Sequence, residues 1–477
     1  MENTQDQCPG QSVSRCVTPA EWLIVALGAA LLFSATLNAR QLQSANDRSR
    51  WCTVWSLVER GTYQIDEIDK KSGWTTIDKV LHDGHLYSSK PPLQSTAVAG
   101  VYWIVKNTFG LDLLKQTADT TRLILLIVSW LPMVLSFVVL ARLLAGSSEC
   151  QTARLIALAT FCCGSLVTGY ATTLNNHSVA ATCLVFALAP LLRILNDESR
   201  RGSDFAQVGF WAAMVCCHEL PAALLGVATF VLLCRKSIPQ TAKWFVPAAL
   251  IPLGAYIVTN YLATGGWKPF YLFYGTEKYL YKIDGVKSYW HTPHGMDQNL
   301  DSPLTYFFHC VFGHHGIFSL SPIFLLAIVP ALRMKWLSGS RLRPAIILGG
   351  MLSVAVLGFY LTRTANYNYG GNTFGLRWMI WLTPFWVLAM VPTLERIVAR
   401  RSGLVVSLLL LGVLRRISNQ KPVEFFLALS ADGAGWLDRL LGPAAAVSVQ
   451  TKSSHLVCHA SQRKRRRSLD RIHRRWQ

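Results

Sequence analysis

The sequence predicts an all-α polytopic membrane protein, with about 10–11 transmembrane helices and a large outer first loop carrying interfacial helices. Three observations predict it. Of the 477 residues 51% are hydrophobic and only 15% charged, with a mean hydropathy of +0.30; roughly a quarter of a soluble enzyme would be charged. Apolar runs of about 20 residues, the length that crosses a bilayer, recur along the chain. The formal charge of +20 lies largely in short loops between those runs, as the positive-inside rule requires. The rest of the excess is in the tail Arg463-Lys464-Arg465-Arg466-Arg467. Such placement accounts for the charge without nucleic acid as a partner.

Residues 1–20 are polar and mixed in charge, which makes them a cytoplasmic N-terminus and the apolar run 21–39 an uncleaved anchor. Residues 40–121 form the outer first loop. Within it Asp47, Arg48 and Arg50 follow the anchor by a few residues, so a carboxylate and two guanidinium groups are held just outside the bilayer. Trp51, Val54, Trp55 and Val58 repeat at i, i+3, i+4, i+7, the stripe of an amphipathic helix over 49–60. Two tryptophans on that stripe place it in the membrane interface. Gly61 ends the helix. Residues 76–81 and 85–87 then flank Asp83-Gly84, a dipeptide that favours the positive φ of a tight hairpin. Lys90-Pro91-Pro92 closes the unit, and a helix can start at Leu93. The stretch 93–107 is short for a span, and a span there would invert the charge bias of every later loop. It therefore lies along the interface.

Further spans are predicted at 122–142, 154–172, 176–195, 244–262, 316–332, 344–362 and 376–398. Residues 206–234 read as two short helices meeting at His218-Glu219-Leu220-Pro221, because a Glu in lipid is costly and Pro221 frees a carbonyl. Residues 264–315 form a second outer loop, and 21–400 make one transmembrane domain. Residues 401–477 hold a weak apolar segment and the basic tail. The 12 cysteines include no Cys-x-x-Cys and read as bulky apolar side chains in a bundle.

This topology gathers the unusual polar residues on one outer face. Asp47 is either a general base or a helix N-cap, and Arg48 and Arg50 are candidate phosphate ligands. Lys90 either meets a lipid phosphate or snorkels without a ligand. Asn175, Asn176 and His177 form a polar turn or a sugar-binding group, and Glu219 is functional by its depth. Arg377 in the 363–377 loop joins them. His314 and His315 suit sugar or acceptor binding; with His291, His294 and His309 their spacing fits no recognised metal-ligand pattern. Asp66, Glu67, Asp69 and Asp78 read as a solvated loop face. The aromatics of 264–315, Trp267 and Tyr271 to Trp290, serve either sugar stacking or an interfacial belt.

Assembled in order, these parts resemble the GT-C glycosyltransferases, nearest the protein O-mannosyltransferase and aminoarabinose lipid A transferase branch. The resemblance is carried by Asp47, Arg50-Trp51, the helix ending Glu59-Arg60-Gly61-Thr62-Tyr63, and Tyr87-Ser88-Ser89-Lys90-Pro91-Pro92-Leu93. It implies a multi-pass enzyme of the inner (plasma) membrane, with its site on the outer, periplasmic face. It also implies inverting transfer of a sugar from a polyprenyl-phosphate donor to a glycolipid, glycan or protein acceptor. Asp47 then matches the catalytic Asp, Arg50 the Arg near it and Lys90 the phosphate-contacting Lys. Where the family often has Asp-Glu, this chain has Asp47-Arg48, which weighs against a metal-dependent variant needing two acidic residues; a divalent metal stays open and no cofactor is assigned. Two alternatives remain: a transporter or flippase for lipid-linked sugars, and a surface-polysaccharide polymerase or ligase.

Overall fold

The computed structural model describes residues 16–313, 316–365 and 375–400. The segment assigned to a weak apolar run and basic tail, 401–477, lies outside the described residues. Helices dominate, and the sheet among the described residues is two short hairpins. In chain order the elements used below are α1 (Pro19–Asn38), α2 (Ala45–Arg60), β1 (Lys79–His82), β2 (His85–Ser88) and α3 (Pro92–Phe109). They are followed by α4 (Thr117–Ala145), α5 (Gln151–Tyr170), α6 (Asn176–Leu195), α7 (Gly202–His218), α8 (Ala223–Lys236) and α9 (Ile238–Thr264). Last come α10 (Pro322–Leu332), α11 (Arg343–Leu361) and α12 (Arg377–Ala399).

Among the described residues seven helices are long and apolar enough to cross a membrane: α1, α4, α5, α6, α9, α11 and α12. This makes the chain a multi-pass helical membrane protein, with fewer full-length spans among the described residues than predicted. Prolines account for the difference. The 206–234 run is broken as expected, α7 and α8 meeting at an extended Glu219 and the one-turn segment Leu220–Ala222. The predicted 316–332 span is also broken, at Ser321-Pro322, and leaves only the shorter α10. A mean hydropathy does not register where a proline removes a backbone donor.

The helices alternate in direction, and hydrogen bonds show which ends meet. At the end holding the start of α1, Arg154 pairs with Glu21 at 2.8 Å and Ser148 donates to Glu395 at 2.5 Å. Arg341 there reaches Gly146 O and Glu198, and the Arg396 guanidinium lies 4.5 Å over Trp336. Arg142, Arg193, Arg200 and Lys236 gather at this same end, where the charge pattern predicted a single face.

Arg154 and Glu21 are 3% and 0% exposed, so the pair has no water to fall back on. Arg154 also donates to Ser148 O at 3.0 Å. Glu21→Gln should therefore lower stability by about 3–5 kcal/mol, because it strands a buried guanidinium. Replacing both partners with Met should recover much of that loss. Thermal unfolding of the purified chain in detergent checks it, and a single variant as stable as wild type would contradict it.

At the other end, α2 begins at Ala45 rather than residue 49. Ser44 caps it, accepting from Asp47 N at 3.1 Å, and Gly61 closes it at φ 65°. Its tryptophan stripe does not face the membrane interface. Trp51, Val54 and Trp55 are buried against Val98, Tyr102, Ile124 and Leu174. An apolar stripe looks the same in sequence whether lipid or protein covers it, and here α3 does. Glu59 binds the two helices together, accepting from Tyr102 Oη at 2.8 Å and Lys106 Nζ at 2.5 Å. α3 is not among the seven spans. The hairpin forms as read: β1 pairs antiparallel with β2, and Asp83 and Gly84 turn at φ 49° and 81°.

Candidate functional site

Asp47 is the third residue of α2, so it is not the cap that its position after Asn46 suggested. The residue is 4% exposed. Oδ1 accepts from Leu174 N at 2.9 Å, just before α6, and Oδ2 from Gln43 N at 3.2 Å. Burial raises its pKa from 3.8 to about 6, opposed by those two N–H groups and by Arg50. A side-chain hydrogen bond from Trp51 opposes the rise as well, so of the roughly four acceptor sites of the carboxylate three are engaged.

One turn along α2, Arg50 points to the same place. Its Nη2 donates to Asn176 Oδ1 at 2.5 Å and its Nη1 to the Asn46 side chain. Arg50 Nε is buried and has no hydrogen-bond partner among the described residues. Burial lowers the Arg50 pKa to about 10, and the Asp78, Asp47 and Glu219 carboxylates oppose that. It remains a cation at neutral pH.

Asn176 passes the connection on. Its Nδ2 donates to Glu219 Oε1 at 2.7 Å and to His218 O at 2.9 Å, while His177 Nδ1 meets the same Glu219 oxygen. Glu219 is 2% exposed. From the C-terminal end of α7 its carboxylate meets these two side chains of the first turn of α6. The break between α7 and α8 supplies the position, since a continuous helix would carry Glu219 into its flank.

Lys90 pairs with Asp78 Oδ1 at 3.0 Å. Burial lowers its pKa; Asp78 opposes that, while the positive charges of Arg50 and Arg377 add to the lowering. Arg50, Lys90 and Arg377, at the start of α12, thus share one electrostatic field. The structure brings together Asp47, Arg50, Lys90, Asn176, His177, Glu219 and Arg377.

Other candidates stand elsewhere or have other work. Arg48 donates to Thr75 O at 2.6 Å and Leu42 O at 3.3 Å, which holds the loop. Asn175 caps α6, accepting from Ser178 N at 2.9 Å, and its amide donates to Tyr170 O at 2.5 Å. His314 and His315 lie outside the described residues. Asp69 and Asp78 are not a solvated face: Asp69 is buried and pairs with Lys79 at 2.5 Å, and the Asp78 side chain is 16% exposed.

Asp78 was legible after all. Counting outward from the Asp83-Gly84 turn, the register sets Lys79 against Ser88. The next pair is Asp78 and Ser89, with Ser89 N donating to Asp78 O at 3.1 Å, which leaves Lys90 beside the Asp78 carboxylate. Tyr271 and Tyr279 were legible only as aromatics of the second outer loop, with no signal for the carboxylates they lie near. Burial raises both hydroxyl pKa values, with Glu219 adding to the first and Asp78 to the second. Much of the aromatic loop packs on itself: Tyr274, Tyr279, Tyr289 and Trp290 meet edge to face. Trp290 also donates to Ile77 O at 2.9 Å, laying this loop over the hairpin.

Among the described residues no group of three or more His, Cys, Asp and Glu side chains is placed to hold a metal ion. Fold and site together define a multi-pass helical membrane protein with a buried, mixed-charge polar cluster at one end of its bundle. No family model matches the chain, and no curated protein does.

Proposed function

We propose that the chain is an integral-membrane glycosyltransferase of GT-C type, moving one sugar from a polyprenyl-phosphate donor to a glycolipid, glycan or protein acceptor at the outer face of the plasma membrane. The observation that carries this reading is the meeting of Asp47, with a pKa raised to about 6, and the cations Arg50 and Lys90 in one buried cluster. The acceptor hydroxyl oxygen attacks the anomeric carbon while the bond from that carbon to the phosphate oxygen breaks, its electron pair leaving with the phosphate. The hydroxyl proton passes to Asp47. Arg50, Lys90 and Arg377 balance the charge that develops on the leaving group, and Asn176, His177 and Glu219 orient sugar hydroxyls. Asp78 holds Lys90 until phosphate replaces it. In a dry pocket each of these interactions is stronger than in water.

A general base must be ionised, so transfer should fall as pH drops through about 6, where Asp47 takes up a proton. The stability effect runs the other way. The folded pKa lies above the unfolded 3.8, so ionisation of Asp47 opposes folding increasingly as pH rises from 3.8 through about 6. A rate profile in nanodiscs that is flat from pH 5 to pH 8, roughly the span over which a base of this pKa must titrate, would remove Asp47 from the role.

The activity is tested by mass spectrometry of envelope glycans and glycolipids from a strain lacking the gene, with and without the wild-type copy. One sugar-bearing species should return with the gene, its mass naming the acceptor. An unchanged profile, together with movement of lipid-linked sugar across liposomes without transfer, would favour a flippase.

A further inference from the structure

A cavity of about 380 Å³ lies at the end of the bundle opposite the polar cluster, between the last turns of α4 and α6 and the flank of α7. One wall is apolar: Val139, Leu143, Phe186, Pro190, Leu192 and Trp211. Phe186 and Trp211 set their rings 4.8 Å apart, tilted by 49°, and make a smooth aromatic face. The rim is polar and basic, with Arg142, Arg193 and Arg341 beside the neutral Gln207.

The rim charges are not equivalent. Arg193 is paired with Asp204, and Arg341 is held by Glu198 and Gly146 O. Arg142, exposed in the last turn of α4, and the exposed Gln207 make no polar side-chain contact among the described residues. Three guanidinium groups against two carboxylates leave one positive charge, and it belongs to Arg142. An apolar wall running along the helices, with one uncompensated cation where they end, matches a molecule that has an acyl chain and a single negative headgroup charge.

We propose that this cavity is a binding site for an anionic phospholipid, its phosphodiester against Arg142 and Gln207 and an acyl chain along Phe186 and Trp211. The site is separate from the polar cluster, and its occupancy does not depend on the activity proposed above. A juxtamembrane arginine against an anionic headgroup is worth about five-fold in occupancy.

The test uses the full chain in vesicles of phosphatidylcholine doped with a phosphatidylglycerol or a phosphatidylcholine carrying a photoactivatable acyl chain, followed by peptide mapping. Labelling of the peptides that carry Phe186 and Trp211 should be about five-fold higher with the phosphatidylglycerol probe. Arg142→Gln should remove that preference while labelling of the exposed α9 side chains Leu250 and Ile251 stays unchanged. Equal labelling by both probes would mean ordinary surrounding lipid and overturn the proposal. So would a preference that survives Arg142→Gln, or one abolished by inorganic phosphate at matched ionic strength, which would make this a free-phosphate site.

Discussion

Asp47→Asn should abolish sugar transfer while leaving the protein folded and inserted. Loss of a positioned base costs roughly 10²–10⁴-fold in rate, which in the complemented strain would read as disappearance of the product. Folding should survive because two effects oppose each other. Raising a carboxyl pKa from 3.8 to about 6 corresponds to about 3 kcal/mol of opposition to folding at neutral pH, which the neutral amide removes. Against this, the amide NH₂ must face the N–H of either Leu174 or Gln43, where a carboxylate oxygen accepted; that mismatch costs about 1–3 kcal/mol. The measurement pairs product mass spectrometry with thermal unfolding at matched expression. Normal product with normal stability would make Asp47 an internal brace between α2 and the start of α6.

Arg50→Lys should lower kcat/KM by about 10²-fold or more, with most of the loss in kcat. The guanidinium fork engages Asn46 and Asn176 at once and leaves its third nitrogen, Nε, buried without a hydrogen-bond partner among the described residues. An ammonium on a flexible stem keeps the charge but cannot hold both amides in one plane. If the charge alone mattered, Lys would suffice. Adding guanidinium to Arg50→Ala provides the readout that a structural role would not move, because it restores the planar cation without the chain attachment. Recovery of rate supports phosphate stabilisation. A variant within about three-fold of wild type, small beside the loss expected for a preorganised donor, would reduce Arg50 to a strut joining α2 to α6.

How much of this was legible depended on the range of the interaction. Hydropathy and charge bias gave the polytopic class and the shared end of Arg142, Arg193 and Lys236, because both are sums along the chain. Local backbone chemistry gave the Asp83-Gly84 hairpin, the Gly61 stop and the Glu219-Leu220-Pro221 break, since a glycine or proline acts within a few residues. Proline also caused a miss: the same reasoning applied at Ser321-Pro322 would have shortened the 316–332 span. Trp51 and Trp55 were misplaced for a different reason, because an apolar stripe does not name its partner.

By itself, then, the sequence determined a multi-pass helical membrane protein with a polar first loop, and it singled out Asp47, Arg50, Lys90, Asn176, His177 and Glu219 as residue types that need an explanation. Only the tertiary structure decided which of them share a cluster. Leu174 N is 127 residues from Asp47, and Asn176 is 126 from Arg50; no periodicity reaches so far. It also decided that Arg48 and Asn175 are committed to backbone groups and that Asp78 is the counter-ion of Lys90. The reason is physical: a side chain's charge and hydrogen-bonding capacity are fixed by its type, but burial and partners, which set its pKa and its role, are properties of the packed chain.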